Sequence, residues 1–209
     1  MINKLHYISQ QTATGSHTDN ILAACDAGCQ WIQLRIKNET HENILPVAIA
    51  AKKICDQYQA SLIINDYPHI AVAVDAAGVH VGQKDMTVAE ARAIVGADKI
   101  VGGTANTLED ILVHVKNGAS YIGLGPFRFT TTKQNLSPIL GLEGYHTILQ
   151  SLRQQQIHIP IVAIGGILTD DIPAILQTGI HGIAVSGLIT QTAARQPLVQ
   201  HIYELLNQQ

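Results

Sequence analysis

Aromatic residues are scarce in this chain: two Phe, one Trp and six Tyr make up 4% of its 209 residues, although apolar residues as a whole reach 46%. The interior must therefore be built from Ile, Val, Leu and Ala, a palette suited to parallel strands buried on both faces. Basic residues do not dominate either. Thirteen Lys and Arg stand against 16 Asp and Glu, a net charge of −3, which argues against the basic surface that a nucleic acid or anionic membrane requires. No apolar run approaches the roughly 20 residues that span a bilayer. The opening Met1-Ile-Asn-Lys-Leu-His6 lacks the continuous apolar segment of a secretory signal, which makes a cytoplasmic location the expectation. Cysteines are few and odd in number; Cys25, Cys29 and Cys55 read as reduced, buried thiols. No second Cys/His pair completes a zinc site, and the ten scattered histidines read mostly as surface residues. Neither a G-x-x-x-x-G-K nor a G-x-G-x-x-G phosphate loop occurs.

What is present is alternation. Short apolar runs and amphipathic stretches follow each other about every 26 residues, as eight repeated units over this length would require. The strand-like runs are 5–9, 30–34, 61–65, 78–81, 100–103, 121–125, 160–164 and 182–185. The helical patterns are 20–27, 42–57, 69–75, 88–95, 108–116, 142–154, 170–177 and 197–206. Capping residues are expected at Asp19, at Thr87 with Glu90, at Thr107 with Asp110, and at Thr169. Gly28, Gly96, Gly118 and Gly179 stand where helices should close in a left-handed residue. Eight such pairs predict a closed (β/α)₈ TIM barrel of parallel strands, with residues 1–209 forming one catalytic domain. A doubly wound sheet would use fewer strands and a topological switch point.

In such a barrel the residues just after each strand carry function. Two runs, Ile63-Ile-Asn-Asp-Tyr67 and Gly78-Val-His-Val-Gly-Gln-Lys-Asp85, end in carboxylates, Asp66 and Asp85. Two acidic groups sharing a crevice repel each other or hold a hard cation such as Mg²⁺. Each also has an ordinary alternative, an Asx turn or partner for the next helix. Strand alternation sends Gln33, Arg35 and Lys37 to one side and Leu34 and Ile36 to the other. Three inward polar groups need a ligand near the mouth, unless the cations pair in solvent with Glu39 and Glu42. His80 reads as a hydrogen-bonded core histidine. Gly102-Gly103-Thr104 lets backbone and hydroxyl approach an anion or simply turns the chain. The connection 127–140 is the longest in the chain, and its Thr130, Thr131, Thr132 and Lys133 suit phosphate oxygens; long loops on this face are often lids. Gly165-Gly166 and Ser186-Gly187 stand after the seventh and eighth strands, where backbone N–H groups bind phosphate in many such barrels.

Gln33-Leu-Arg-Ile-Lys37, Asn65-Asp66, Gly82-Gln-Lys-Asp85, Thr130-Thr-Thr-Lys133, Ala163-Ile-Gly-Gly-Ile167 and Ser186-Gly187 together resemble, in order over essentially the whole chain, the motif series of the thiamine phosphate synthase family. The resemblance implies that a pyrimidinylmethyl diphosphate is joined to a hydroxyethylthiazole phosphate, giving thiamine monophosphate and pyrophosphate. It implies that Gln33, Arg35, Lys37, Asn65, Thr104 and Lys133 bind the pyrimidine diphosphate. Asp66 and Asp85 would hold Mg²⁺, Thr130 and Thr132 with Thr131 between them would meet the thiazole, and Gly166, Ser186 and Gly187 would hold its phosphate. The implied chemistry is dissociative, with Arg35, Lys37 and Lys133 stabilising the leaving group. Thr104 stands where the family usually has Ser, and Asn106 where it often has His. Only small-molecule partners are expected, with a homo-oligomer left open. A thiazole tautomerase on the same barrel would need neither the Asp66/Asp85 pair nor the cation cluster, and a non-catalytic phosphate-binding barrel is the third alternative.

Overall fold

The computed structural model of the chain describes residues 2–129 and 138–208. Its strands close into a barrel in sequence order, every neighbouring pair parallel. They are β1 (Leu5–Ile8), β2 (Trp31–Leu34), β3 (Ser61–Asn65), β4 (Gly78–Val81), β5 (Ile100–Ala105), β6 (Tyr121–Leu124), β7 (Ile161–Ile164) and β8 (Gly182–Val185). The helices are α1 (His17–Asp26), α2 (His41–Gln57), α3 (Pro68–Ala73), α4 (Val88–Val95), α5 (Leu108–Lys116), α6 (Gly141–Gln154), α7 (Ile172–Gln177), α8 (Gly187–Thr190) and α9 (Arg195–Leu206). The expected (β/α)₈ TIM barrel is thus present. No helix among the described residues is long and apolar enough to cross a membrane.

Helix starts follow the capping residues with two corrections. Thr87–Glu90 and Thr107–Asp110 form reciprocal capping boxes as expected. The cap of α1, however, is Ser16, with Asp19 as its reciprocal partner three residues on, so the helix starts earlier than its apolar pattern. Thr169 does not cap a helix. It opens a 3₁₀ turn (Thr169–Asp171), and α7 follows from Ile172 with Pro173 in its first turn, where a missing N–H costs nothing. Gly28, Gly96, Gly118 and Gly179 all take positive φ.

Two cores result from the strand alternation. The larger lies between barrel and helices and holds nearly all the aliphatic residues, together with Cys25, Cys29 and Cys55, which are free thiols as expected. The smaller fills the barrel interior: Trp31, Ile63, Tyr121, Val162 and Ala184. Trp31 and Tyr121 are its two aromatic members. His6 stacks on Trp31 with centroids 3.7 Å apart, and Tyr121 meets Trp31 edge-on at 4.9 Å. Glycine makes the room. A Cβ on Gly102 would fall 2.2 Å from Tyr121 Cζ and 2.5 Å from His80 Nδ1, so any side chain there would displace the ring.

His80 is buried and hydrogen-bonded, as expected of it, and His6 is buried as well, whereas His41, His69, His146, His158 and His201 are exposed, in line with mostly surface imidazoles. Burial drives the His6 pKa well below its ordinary 6.5, and the neighbouring His80 adds to this. The unfolded chain takes up a proton near pH 6.5 that the folded chain refuses. Stability is therefore full above that pH and falls below it by up to about 1.4 kcal/mol per pH unit, until the depressed folded pKa is reached. Denaturant unfolding of the wild type and His6→Phe at about pH 7.5 and about pH 5.5 checks this. The wild type should lose more stability on acidification, and equal losses would show that His6 carries no such linkage.

Candidate active site

The C-terminal ends of the strands enclose a cavity of about 880 Å³. Gln33, Arg35, Lys37, Asn65, Asp66, Asp85, Thr104, Gly166, Ser186 and Gly187 all line it. The β2 alternation holds: Gln33, Arg35 and Lys37 face the cavity, while Leu34 is buried in the outer core and Ile36 packs against it. Thr130, Thr131, Thr132 and Lys133 lie outside the described residues, and the lid expected of 127–140 rests on them.

Lys37 forms ion pairs with both carboxylates, Asp66 and Asp85, the second at 3.2 Å. The alternative pairing with Glu39 and Glu42 is not seen among the described residues; Glu39 instead accepts from the Asn43 amide at 3.0 Å. Neither aspartate serves as a helix cap. The cap position of α3 is Tyr67, without a side-chain bond, and α4 has its own Thr87–Glu90 box. Asp66 instead takes a left-handed backbone, φ 64°, a conformation that Asp tolerates better than most side chains. Asn65 Nδ2 donates to Asp66 Oδ2, and Asp66 Oδ1 is buried without a hydrogen-bond partner among the described residues. Gly82 lies beside both: a Cβ there would fall 2.3 Å from Asp85 Oδ2 and 3.9 Å from Asp66 Oδ1.

The electrostatics are those of a strained pair. Burial raises the Asp66 pKa, against the pull of Lys37. Burial acts the same way on Asp85, but its contacts with Asp66 and Lys37 outweigh this and leave its pKa below the usual range. Arg35 is lowered by burial, although both carboxylates favour its charge.

Across the mouth, after β7 and β8, charge gives way to backbone. Gly165 and Gly166 both have positive φ, and Ser186 Oγ donates to Gln10 Oε1 at 3.2 Å at the head of α8. Arg128 carries no motif that marks it in the sequence, yet it makes a bidentate pair with Asp171, 2.8 Å at each oxygen, and reaches the Gly166 carbonyl at 3.1 Å. That clasp ties the chain after β6 to the turn after β7. Asn106, in place of the family's frequent His, donates to the carbonyls of Gly125 and Pro138 at 3.0 and 2.9 Å. His6 and Tyr121, at the floor of the cavity, also went unmarked in the sequence. The signal for them is strand alternation, which puts His6 in register with inward Ala184 and Tyr121 with inward Gly102.

The family model described as thiamine monophosphate synthase matches residues 5–189. A thiamine-phosphate synthase of Flavobacterium johnsoniae is 53% identical over 206 residues, covering 99% of this chain and 97% of that protein. A thiamine-phosphate synthase of Phocaeicola vulgatus is 49% identical over 197 residues, covering 94% of each. Among solved structures, a thiamine phosphate pyrophosphorylase from Pyrococcus furiosus superposes with a TM-score of 0.83 at 30% identity, covering 97% of this chain and 95% of that one.

Proposed function

This chain belongs to the thiamine monophosphate synthase family, and on that premise we propose how its two-sided cavity does the work. It is a transferase of thiamine biosynthesis that makes thiamine monophosphate. In our reading the β2–β4 side takes the pyrimidinylmethyl diphosphate and the β7–β8 side takes the thiazole phosphate.

The observation that carries this division is the Lys37–Asp66–Asp85 cluster facing glycine-rich turns across one cavity. Among the described residues no three His, Cys, Asp or Glu side chains converge, and the two carboxylates, Asp66 and Asp85, are the acidic donors there for a cation. That is the donor set expected of Mg²⁺, which keeps waters and takes its remaining oxygens from substrate phosphates. The orphaned Asp66 Oδ1 and the space left by Gly82 fit such an ion. Bound there, Mg²⁺ would neutralise charge on the diphosphate and stabilise the departing pyrophosphate.

The chain's own residues supply the rest. Lys37, which pairs with both aspartates, would be free to turn toward the diphosphate if a metal held them, and Arg35 lines the same cavity as a second donor. Both stabilise negative charge as the C–O bond to pyrophosphate breaks and a pyrimidinylmethyl cation forms. Gln33, 2% exposed in β2, and Asn65, beside Asp66, present amides that orient the pyrimidine. At the far side the N–H groups around Gly166 and Ser186–Gly187 hold the thiazole phosphate, so that the ring nitrogen is in place to capture the cation. No proton need be removed in that step, and no general base is assigned. The site acts on small molecules and works in the cytoplasm in this reading, from one domain spanning 1–209.

Mixing both substrates with and without Mg²⁺ and measuring pyrophosphate tests the proposal. Pyrophosphate should appear with thiamine monophosphate, and only with the metal. Equal release after chelation would mean that Asp66 and Asp85 hold no catalytic metal.

A further inference from the structure

Beneath the mouth of the cavity, three side chains join in a line across β4, β5 and β6. Tyr121 Oη meets His80 Nδ1 at 2.9 Å, and His80 Nε2 meets Thr104 Oγ1 at 2.9 Å. All are buried: Tyr121 is 1% exposed, Thr104 5% and His80 7%. The backbone of Thr104 is pinned as well, because His114 Nε2 bonds its carbonyl at 2.9 Å. With the chain fixed, the remaining freedom that matters at Thr104 is where its hydroxyl hydrogen points.

Counting hydrogens settles that direction. A hydroxyl carries one hydrogen, and a neutral imidazole carries one N–H and one bare nitrogen. Among the described residues the Tyr121 hydroxyl has no partner other than His80 Nδ1. Burial pushes the Tyr121 pKa well above 10, so the hydrogen stays on that oxygen and must be donated somewhere. Were Nδ1 itself protonated, in the other tautomer or in an imidazolium, the buried Tyr121 hydrogen would have no acceptor and its desolvation would go uncompensated. Within this line of three side chains one arrangement satisfies each group: Tyr121 donates to Nδ1, Nε2–H donates to Thr104 Oγ1, and the Thr104 hydrogen is left to point into the cavity.

We propose that Tyr121 and His80 are positioning residues that fix the Thr104 hydroxyl as a hydrogen-bond donor toward the anionic substrate. The relay converts an ambivalent hydroxyl into a one-way donor, suited to a phosphate oxygen and unsuited to any group that must itself donate. Gly102 belongs to the device, because a Cβ there would collide with both Tyr121 and His80. The inference rests on the reading that Thr104 contacts the pyrimidine diphosphate, and its test separates the two.

The first measurement needs no variant. Nitrogen-15 spectra of the protein labelled at histidine should show His80 as the Nε2–H tautomer, with Nδ1 bare; a protonated Nδ1 overturns the relay. The second is a cycle of Thr104→Val, Tyr121→Phe and the double variant, read as KM and kcat for the pyrimidine diphosphate. Losing a donor to a charged group should raise KM on the order of 10- to 100-fold in Thr104→Val. Tyr121→Phe keeps the ring but frees Nδ1 to take the proton, so Nε2 becomes an acceptor that turns the Thr104 hydrogen inward. Its KM should rise in the same direction, its His80 tautomer should switch, and the double variant should be no worse than Thr104→Val. An unchanged KM in Thr104→Val would overturn the reading of Thr104 itself. A loss in Thr104→Val with none in Tyr121→Phe, or additive losses in the double variant, would overturn the relay alone.

Discussion

Asp85→Asn should lower turnover by about 10²–10³-fold and shift the magnesium requirement to much higher concentration, while leaving the barrel folded. The amide keeps the shape of the carboxylate but removes the charge held between Gly82 and Lys37. Lys37 would remain paired with Asp66, so the variant also reports on competition between ammonium and metal for one carboxylate. Magnesium titrations of the initial rate, with thermal unfolding as a control, decide the matter. Unchanged rate and unchanged metal dependence in a folded variant would sink the assignment of Asp85.

Ser186→Asp is the complementary experiment on the opposite wall. The substitution puts a carboxylate at the head of α8, where the thiazole phosphate is assigned. Like charges brought together in a partly desolvated site cost several kcal/mol, so affinity for that substrate should fall by about 10²-fold or more. Affinity for the pyrimidine diphosphate should hardly change, because β8 lies across the closed barrel from β3 and β4. Calorimetric titration with each substrate separately distinguishes the cases. Equal weakening of both would show that the anion sites are not divided between the two walls.

The strands are legible because their apolar runs have no other use in a chain this poor in aromatics. The alternation of Gln33, Arg35 and Lys37 is enough to identify inward positions, and Asp66 and Asp85 follow from their places at strand ends. Two kinds of feature escape the sequence. The first is the polar interior: His6 and Tyr121 look like ordinary strand residues, and only the closure of the barrel brings them together with His80 and Trp31. The second is local choice among competing caps. Ser16 and Asp19 are both good capping residues, and the reciprocal bonds between them decide which is the cap. The Arg128–Asp171 clasp likewise joins residues whose partnership depends on tertiary approach.

The seam of the barrel has a temporal consequence. β1 pairs with β8, and the Lys4 ammonium holds the Leu206 carbonyl at 2.7 Å, a contact spanning 202 positions of chain. During synthesis the sector from β2 to β4 can pair as its residues emerge, since its contacts are short in sequence. The seam has to wait for β8. Loop-closure entropy makes such distant pairing the slow event in folding. The acidic and cationic wall can therefore be built early and locally, whereas the glycine wall acquires its final position against β1 only when the ring shuts. A nascent chain arrested before β8 would carry Asp66, Asp85 and Lys37 but no completed seat for a second phosphate.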